Sequence, residues 1–212
     1  MRPLRFENDR YYHIYNRGVD KRKIFLRYGH YSRFTHTIHT LLDTGSASEP
    51  SAKSQGLALK NKVEIMCYCL MPNHYHFVMH QLQDNGITEF MHHLNTSYTM
   101  FFNKNINRSG RLFEYTFKAK IIESDDMLLH ISRYVHINPT IAGLVDDVSL
   151  YPWSSYLEYV GKRTETFCQT QTILSFFGND PMRYKTFVHD QVAYARLLHQ
   201  TEHEDKDGTP FL

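Results

Sequence analysis

Two histidines at alternate positions, His74 and His76, are the residues in this sequence best suited to hold a metal ion. They follow the turn Pro72-Asn73 and begin a short apolar segment, which predicts a β-strand. Because residues two apart in a strand project from the same face, both imidazoles point one way and Tyr75 points the other. Two imidazoles at this spacing can bind one divalent cation. Since the chain has 14 histidines, a chance His-x-His triplet is the alternative.

A second group of polar side chains falls on a predicted helix that ends near Asn138. Tyr134 and Asn138 are four residues apart and therefore share one helical face, with His130 one turn before Tyr134. A tyrosine hydroxyl, with a pKa of about 10, becomes a useful nucleophile when a cation or a base assists it. The pattern indicates the edge of a site, and a tyrosine at the rim of the core is the alternative.

Other residues with reactive side chains have competing interpretations. His13, in the first predicted strand, either touches the metal site or fills the sheet. Tyr98 is a rival nucleophile, but it lies on an apolar helical stripe, which favours a core position. Cys67 and Cys69 have no second cysteine pair and lie in an apolar strand, so we interpret them as small buried hydrophobic residues.

The elements that must position these residues alternate in a recognisable order. We predict strands over 10–16, 62–70, 74–81 and 111–122, helices over 28–42, 87–102 and 127–138, and a flexible loop over Thr44–Gly56. The third helix is expected to stop at Pro139. This order predicts an α+β fold with a ferredoxin-like core and an antiparallel sheet. Short helices predicted around 173–177 and 181–198 form a C-terminal helical extension.

The composition of the 212 residues is that of a globular protein, with 42% hydrophobic and 22% charged residues, which excludes a wholly disordered chain. The longest unbroken apolar run, Ile65–Met71, has seven residues, against about 20 needed to cross a bilayer. We therefore expect no membrane partner. The absence of a leader-like apolar segment and the low cysteine content favour a reducing cytoplasm.

Charge is unevenly placed in a chain whose formal net charge is only +2. Residues 2–33 hold nine Lys or Arg against three acids, and residues 104–120 hold five against one. The stretch Glu202–Asp207 is acidic instead. Two basic segments favour a nucleic-acid partner, and solvated basic faces are the alternative.

Six short motifs occur in an order that resembles one family. They are Tyr12-His13-Ile14-Tyr15-Asn16-Arg17-Gly18, Met71-Pro72-Asn73-His74-Tyr75-His76, Gly110-Arg111-Leu112-Phe113, Tyr134-Val135-His136-Ile137-Asn138-Pro139, Ala142-Gly143-Leu144-Val145 and Tyr151-Pro152-Trp153-Ser154-Ser155. Over about residues 8–160 the chain resembles the IS200-like transposases, and among them the REP-associated tyrosine transposases, which are Y1-type HUH single-strand nucleases. The chain departs from the family pattern at Tyr75, where the family usually has an aliphatic residue.

The resemblance implies a role for each candidate residue. It makes His74, His76 and Asn138 the ligands of a divalent cation, Mg²⁺ or Mn²⁺, and Tyr134 the nucleophile. The implied activity is cleavage and rejoining of single-stranded or hairpin DNA in transposition, through a 5′-phosphotyrosine intermediate. His13 and His130 are candidates for positions next to the ligands.

Five basic residues are candidates for contacts with the DNA backbone: Arg17, Arg108, Arg111, Lys118 and Lys120. Two other functions stay open. A catalytically inactive relative would bind structured nucleic acid without cutting it, and a metal-dependent phosphodiesterase would use water in place of Tyr134.

The resemblance also frames the organisation of the chain. We expect a nuclease-like domain over residues 1–160, and a helical extension with an acidic tail over 161–212. IS200-type members work as dimers that exchange the tyrosine helix, whereas the REP-associated branch works as monomers. We expect a monomer, with a homodimer as the alternative. The acidic tail is expected either to cover the basic groove or to have no fixed position.

Overall fold

The computed structural model describes residues 5–42, 59–164 and 166–192. The predicted loop Thr44–Gly56 and the acidic stretch Glu202–Asp207 lie outside the described residues. Four strands form one antiparallel sheet: β1 (Arg10–Arg17), β2 (Val63–Met71), β3 (His74–Gln81) and β4 (Lys118–Ile122). Their order is β2-β3-β1-β4, so β1 and β3 are central.

The helices α1 (Tyr28–Leu42) and α2 (Gly86–Asn105) connect β1 to β2 and β3 to β4. This strand order and these two crossovers confirm the predicted ferredoxin-like α+β class. A third long helix, α3 (Asp125–Ile141), follows β4 and is followed by the short helix α4 (Tyr156–Tyr159), and the short helices α5 (Thr170–Leu174) and α6 (Pro181–His189) lie in the extension. Within the part of the chain that is described, no helix is long and apolar enough to cross a membrane.

The two faces of the sheet pack against different helices. On one face, Tyr12 and Ile14 of β1 and Tyr75 and Phe77 of β3 are fully buried against α1 and α2. Because side chains alternate along each strand, His13 of β1 and His74 and His76 of β3 project from the other face, which α3 covers. The candidate chemistry is therefore confined to the α3 side of the sheet.

The fourth strand is shorter than predicted. Only Lys118–Ile122 pairs with β1, so the expected strand over 111–122 is wrong in its first seven residues. Residues 111–117 instead make isolated backbone contacts with the end of β1 and the segment after it: the Leu112 carbonyl accepts from the Val19 amide at 3.0 Å, the Glu114 amide donates to the Arg17 carbonyl at 2.9 Å, and Phe113 forms an isolated bridge with Gly18. The buried Leu112 and Phe113 anchor this irregular segment in the core.

The helix α3 begins as predicted but does not stop at Pro139. The Ser124 hydroxyl accepts a hydrogen bond from the Met127 amide at 3.2 Å and so caps its first turn. Pro139 lies inside the helix, near its end, and the helix continues to Ile141. The chain leaves the helix where Gly143 adopts a positive φ of 66° and the Leu144 amide donates to the Pro139 carbonyl. A single missing N–H in the last turn is thus tolerated.

A buried histidine ties α3 to the extension. His136 is fully buried, with its Nδ1 2.7 Å from the Tyr184 hydroxyl of α6 and its Nε2 2.8 Å from Ser155 Oγ. Ser155 also accepts from the Tyr68 amide of β2 at 2.9 Å. These contacts connect α3, β2 and α6 through one imidazole, so the described part of the extension packs as part of the core.

We expect Tyr184→Phe to destabilise the fold. The substitution removes the hydroxyl that contacts His136 and, at 3.2 Å, Ser132 Oγ. Because the buried His136 nitrogen then lacks a partner, urea denaturation should show a free energy of unfolding lower by about 1–3 kcal/mol. Tyr28 is 75% exposed, so Tyr28→Phe is the control and should change stability by less than about 0.5 kcal/mol. An equal loss of stability in the two variants would contradict a stabilising role for the hydrogen bond between Tyr184 and His136.

Candidate active site

The turn before β3 is held by the end of β1. The Gly18 amide donates to the Asn73 carbonyl at 2.8 Å, and the Ile24 amide donates to the Pro72 carbonyl at 2.8 Å. A side chain at position 18 is excluded, because a Cβ there would lie 2.3 Å from the Arg22 carbonyl oxygen. The Asn-Arg-Gly and Pro-Asn motifs therefore meet in space and fix the position from which His74 projects.

His74 and His76 lie side by side on β3, as the strand spacing predicts. The rings of His74 and His76 are nearly perpendicular, with centroids 5.0 Å apart. His74 Nδ1 lies 2.7 Å from the Asn73 side-chain oxygen, which orients its ring. Tyr75 points into the opposite core and donates to Asn95 at 2.9 Å. The departure from the family pattern at Tyr75 therefore leaves the His74–His76 face unaltered.

His76 is packed against a third histidine. His13 of β1 is 5% exposed and His76 is 6% exposed. His13 Nε2 and His76 Nδ1 are 2.9 Å apart. The other nitrogen of His76, Nε2, is buried and has no hydrogen-bond partner among the described residues. A buried ring nitrogen without a hydrogen-bond partner is the state expected of a nitrogen that binds a metal ion.

The helix α3 brings its polar edge onto these histidines. The Tyr134 ring meets His76 edge-on with centroids 5.5 Å apart, and His13 at 6.2 Å. The Asn138 side chain is 8% exposed and lies close enough to His74 to raise the pKa of that imidazole. Thus the two groups of residues that the sequence placed on separate elements, His74 with His76 and Tyr134 with Asn138, form one cluster.

Burial keeps the three imidazoles uncharged. It lowers the pKa of His74 to about 4, with the nearby Arg17 acting in the same direction and the Asn138 hydrogen bond acting against it. It lowers the pKa of His13 to about 4 as well, assisted by Lys120, and it places the pKa of His76 well below 6.5. Neutral imidazoles retain the lone pairs that metal ligation requires.

The cluster fits a divalent cation as a set of two imidazoles and one amide. Throughout residues 5–42, 59–164 and 166–192, no group of three or more His, Cys, Asp and Glu side chains could hold a metal ion. His74, His76 and the Asn138 oxygen are the groups that would hold a cation here. Such an uncharged ligand set leaves the full charge of the cation to act on a bound anion.

The five basic candidates separate into two groups. Lys118 and Lys120 of β4 lie directly opposite Tyr15 and His13 in the sheet, and so they flank the cluster. Arg17 also lies beside it, opposite His74, and forms an ion pair with Glu114 that lowers the pKa of that carboxyl.

The other two basic candidates are away from the cluster. Arg108 contacts the Asn103 side-chain oxygen at 2.8 Å and the carbonyls of Gly110 and Arg111, which orders the segment after α2. Arg111 lines a cavity of about 350 Å³ together with α2 residues such as Met100, on the α1–α2 side of the sheet.

The other reactive side chains considered in the sequence lie outside the cluster. His130 is exposed, with its Nδ1 2.6 Å from Arg133, and is not in contact with His74 or His76. Tyr98 is fully buried and donates to the Ile24 carbonyl at 2.5 Å, which agrees with its interpretation as a core residue. Cys67 and Cys69 are buried, and burial raises the pKa of both thiols.

One aromatic residue of the cluster was missed in the sequence. The Tyr15 ring stacks on His13 with centroids 5.0 Å apart and lies 6.0 Å from His76. It projects from the same face as His13, two residues earlier, and it pairs with His76 across the strands. Alternation along β1 predicts that Tyr15 and His13 share a face of the sheet. That Tyr15 lies next to His76 follows only from the pairing of β1 with β3.

The comparison with known families agrees with this geometry. A family described as "Transposase IS200 like" matches residues 9–138, which is more than half of the chain. The chain belongs to the IS200-like transposase family. The matched range contains His74, His76 and Tyr134 and ends at Asn138, so the resemblance predicted from the six motifs is confirmed.

Solved structures show that this IS200-like transposase shares its fold with a known relative. The structure of a REP-associated tyrosine transposase bound to a REP hairpin superposes with a TM-score of 0.55 and 16% sequence identity. The match covers 79% of this chain and 88% of that chain. No curated protein matches the sequence.

The buried histidines predict an acid-sensitive fold. A histidine whose pKa is lowered on folding stabilises the protein above its unfolded pKa of about 6.5, and this stability is lost as pH falls towards the folded pKa. With folded pKa values of about 4 for His13 and His74, the free energy of unfolding should fall below pH 6.5 by up to about 1.4 kcal/mol per pH unit for each histidine. Urea denaturation between pH 7.5 and 5 measures it. His13→Gln should have the shallower pH dependence, and an unchanged slope would contradict a buried neutral His13.

Proposed function

We propose that this IS200-like transposase cleaves and rejoins single-stranded DNA by forming a covalent bond between Tyr134 and a 5′-phosphate. One observation supports the proposal: the Tyr134 ring lies 5.5 Å from His76 in the same chain, while Asn138, one turn further along the helix, lies close enough to His74 to affect its pKa. The proposed nucleophile and the proposed cation ligands thus face one another between α3 and the sheet.

The reaction proceeds by exchange of one phosphoester for another. The Tyr134 hydroxyl oxygen attacks phosphorus and forms a new P–O bond, and the bond from phosphorus to the 3′-oxygen breaks. The proton of the phenol ends on the leaving 3′-hydroxyl, and the 5′-phosphate stays on Tyr134. Because the bond broken and the bond formed are of one kind, the step is reversible and needs no nucleotide cofactor.

The chain's own residues supply position and charge. His74, His76 and Asn138 would hold Mg²⁺ or Mn²⁺, which when bound supplies a Lewis acid that offsets charge on the phosphate oxygens. Asn138 is carried by the same helix as Tyr134, so the nucleophile and one ligand move as a unit. Lys118 and Lys120 on β4 lie where they could contact the DNA backbone on either side of the reacting phosphate.

The proposed substrate is single-stranded DNA next to a hairpin. A single strand exposes its phosphates to a recessed cluster more readily than a duplex does. The related REP-associated transposase is bound to a REP hairpin, which supports a hairpin partner here. Since Tyr134 meets the histidines of its own chain, we propose that a monomer performs the reaction.

Tyr134→Phe should abolish covalent attachment and leave DNA binding intact. The variant keeps the ring that packs on His76 but loses the attacking oxygen. Labelled hairpin DNA with a single-stranded flank, incubated with Mn²⁺ and separated on a denaturing gel, would show an adduct only with the parent chain. Tyr15→Phe is the matched control, because Tyr15 also lies on this face, and it should still form the adduct.

The same experiment separates the alternatives. Cleavage without an adduct that persists in Tyr134→Phe would indicate a phosphodiesterase that uses water. An adduct lost in Tyr15→Phe and kept in Tyr134→Phe would move the nucleophile to β1. Binding with neither cleavage nor adduct in the parent chain would indicate an inactive DNA-binding protein.

His76→Ala should abolish metal-dependent cleavage, since it removes one of few ligands. His80→Ala is a control on the same strand and the same face, where His80 bonds with Glu64 at 3.0 Å outside the cluster; it should cleave like the parent. The rate of cleavage in Mn²⁺ and in EDTA would be measured. Cleavage by the parent chain in EDTA would overturn the metal site.

A further inference from the structure

The contact between His13 and His76 constrains where their protons lie. A neutral imidazole carries one N–H and one lone pair, and a hydrogen bond needs one donor and one acceptor. His13 Nε2 and His76 Nδ1 are 2.9 Å apart and both rings are buried. Exactly two arrangements of a neutral pair satisfy this contact, and they differ in which histidine donates.

In the first arrangement His13 donates. His76 then accepts at Nδ1, so its own proton is on Nε2, the buried nitrogen that has no hydrogen-bond partner within the described residues. A protonated Nε2 has no lone pair to offer a cation. This arrangement leaves an N–H buried without a partner and blocks ligation by that nitrogen.

In the second arrangement His76 donates from Nδ1 to His13 Nε2. His76 Nε2 then carries a lone pair, which a divalent cation can satisfy. The proton of His13 lies on its Nδ1, which is also buried without a partner. Both arrangements leave two ring nitrogens unsatisfied, but only the second gives His76 Nε2 a lone pair, so only there can a cation held with His74 and Asn138 satisfy His76.

We propose that His13 is a positioning residue for the metal site: its Nε2 accepts the Nδ1–H of His76 and thereby keeps His76 Nε2 as the ligating nitrogen. This inference rests on the proposed function, because it assumes that His76 binds a cation. It assigns His13 no direct contact with substrate or metal.

The sheet makes this acceptor rigid. The antiparallel pairing of β1 with β3 sets Tyr15 opposite His76 and His13 opposite Val78. The Tyr15 ring stacks on His13 at 5.0 Å with an angle of 28° between the ring planes. Stacking on Tyr15 therefore fixes the plane of the His13 ring, so that its Nε2 stays directed at His76.

The first test is Mn²⁺ binding by the full chain, measured by isothermal titration calorimetry at neutral pH. His13→Leu removes the acceptor, and we expect the Kd for Mn²⁺ to rise about 10–100-fold. His13→Gln places an amide oxygen near the position of the lost Nε2 and should restore most of the affinity. His80→Leu is the control for loss of a histidine from the same sheet and should bind Mn²⁺ like the parent.

The outcomes distinguish this inference from the proposed function. If the parent chain binds no Mn²⁺, or if His76→Ala binds it equally well, the metal site itself is wrong. If His76→Ala loses binding while His13→Leu keeps the parent Kd, the metal site stands and the role of His13 is overturned.

A second measurement does not depend on the folding of any variant. Long-range ¹H–¹⁵N correlation spectra of the ¹⁵N-histidine-labelled parent chain, loaded with Mg²⁺, report which ring nitrogen carries the proton. We expect the proton of His76 on Nδ1 and that of His13 on Nδ1. A proton on Nε2 of His13 would show that His13 is not the acceptor and would overturn the proposal.

Discussion

The antiparallel pairing of β1 with β3 is the constraint on which the site depends. Its register places Arg17 opposite His74 and Tyr15 opposite His76, and it brings His13 within hydrogen-bonding distance of His76. At its end, Gly18 bonds with the Asn73 carbonyl and fixes the turn from which β3 starts. A slip of one residue would turn these side chains to the opposite core, so one register determines both the packing of the sheet and the geometry of the cluster.

A second constraint fixes the helix that completes the site. In α3 the residues at 134 and 138 share the face towards the sheet, while His136 points away from that face and bonds with Ser155 and Tyr184. Ser155 and Tyr184 thus hold α3 on the side away from Tyr134 and leave Tyr134 facing the histidines. A buried polar network is stable only when every member has its partner. The position of α3 therefore depends on Tyr184, which lies in the extension.

The sequence predicted most of this site because its residues obey local rules. Alternation along β3 correctly put His74 and His76 on one face, helical spacing joined Tyr134 to Asn138, and the order of elements gave the ferredoxin-like class. The errors fell where tertiary contacts override local preference. Residues 111–117 have strand propensity, but burial of Phe113 anchors them in an irregular conformation. The helix α3 continues past Pro139 because the loss of one hydrogen bond near its end costs little. Tyr15 and the partners of His136 depend on contacts between distant segments, which periodicity does not contain.

The hydrogen bonds of His136 also bear on whether two copies of the chain could exchange the helix α3, which carries Tyr134. The partners of His136 come later in the chain than α3, and Ser155 is itself bonded to Tyr68 of β2. If α3 packed on the sheet of a second copy, His136 would lose Ser155 and Tyr184 as partners unless residues 142–192 moved with the helix. In the latter case the Tyr159 hydroxyl bond to the Met66 carbonyl would have to be remade with β2 of the second copy. Domain swapping is favourable when a short hinge moves one loosely attached element, whereas an exchange here would have to move α3 together with every residue that follows it up to position 192.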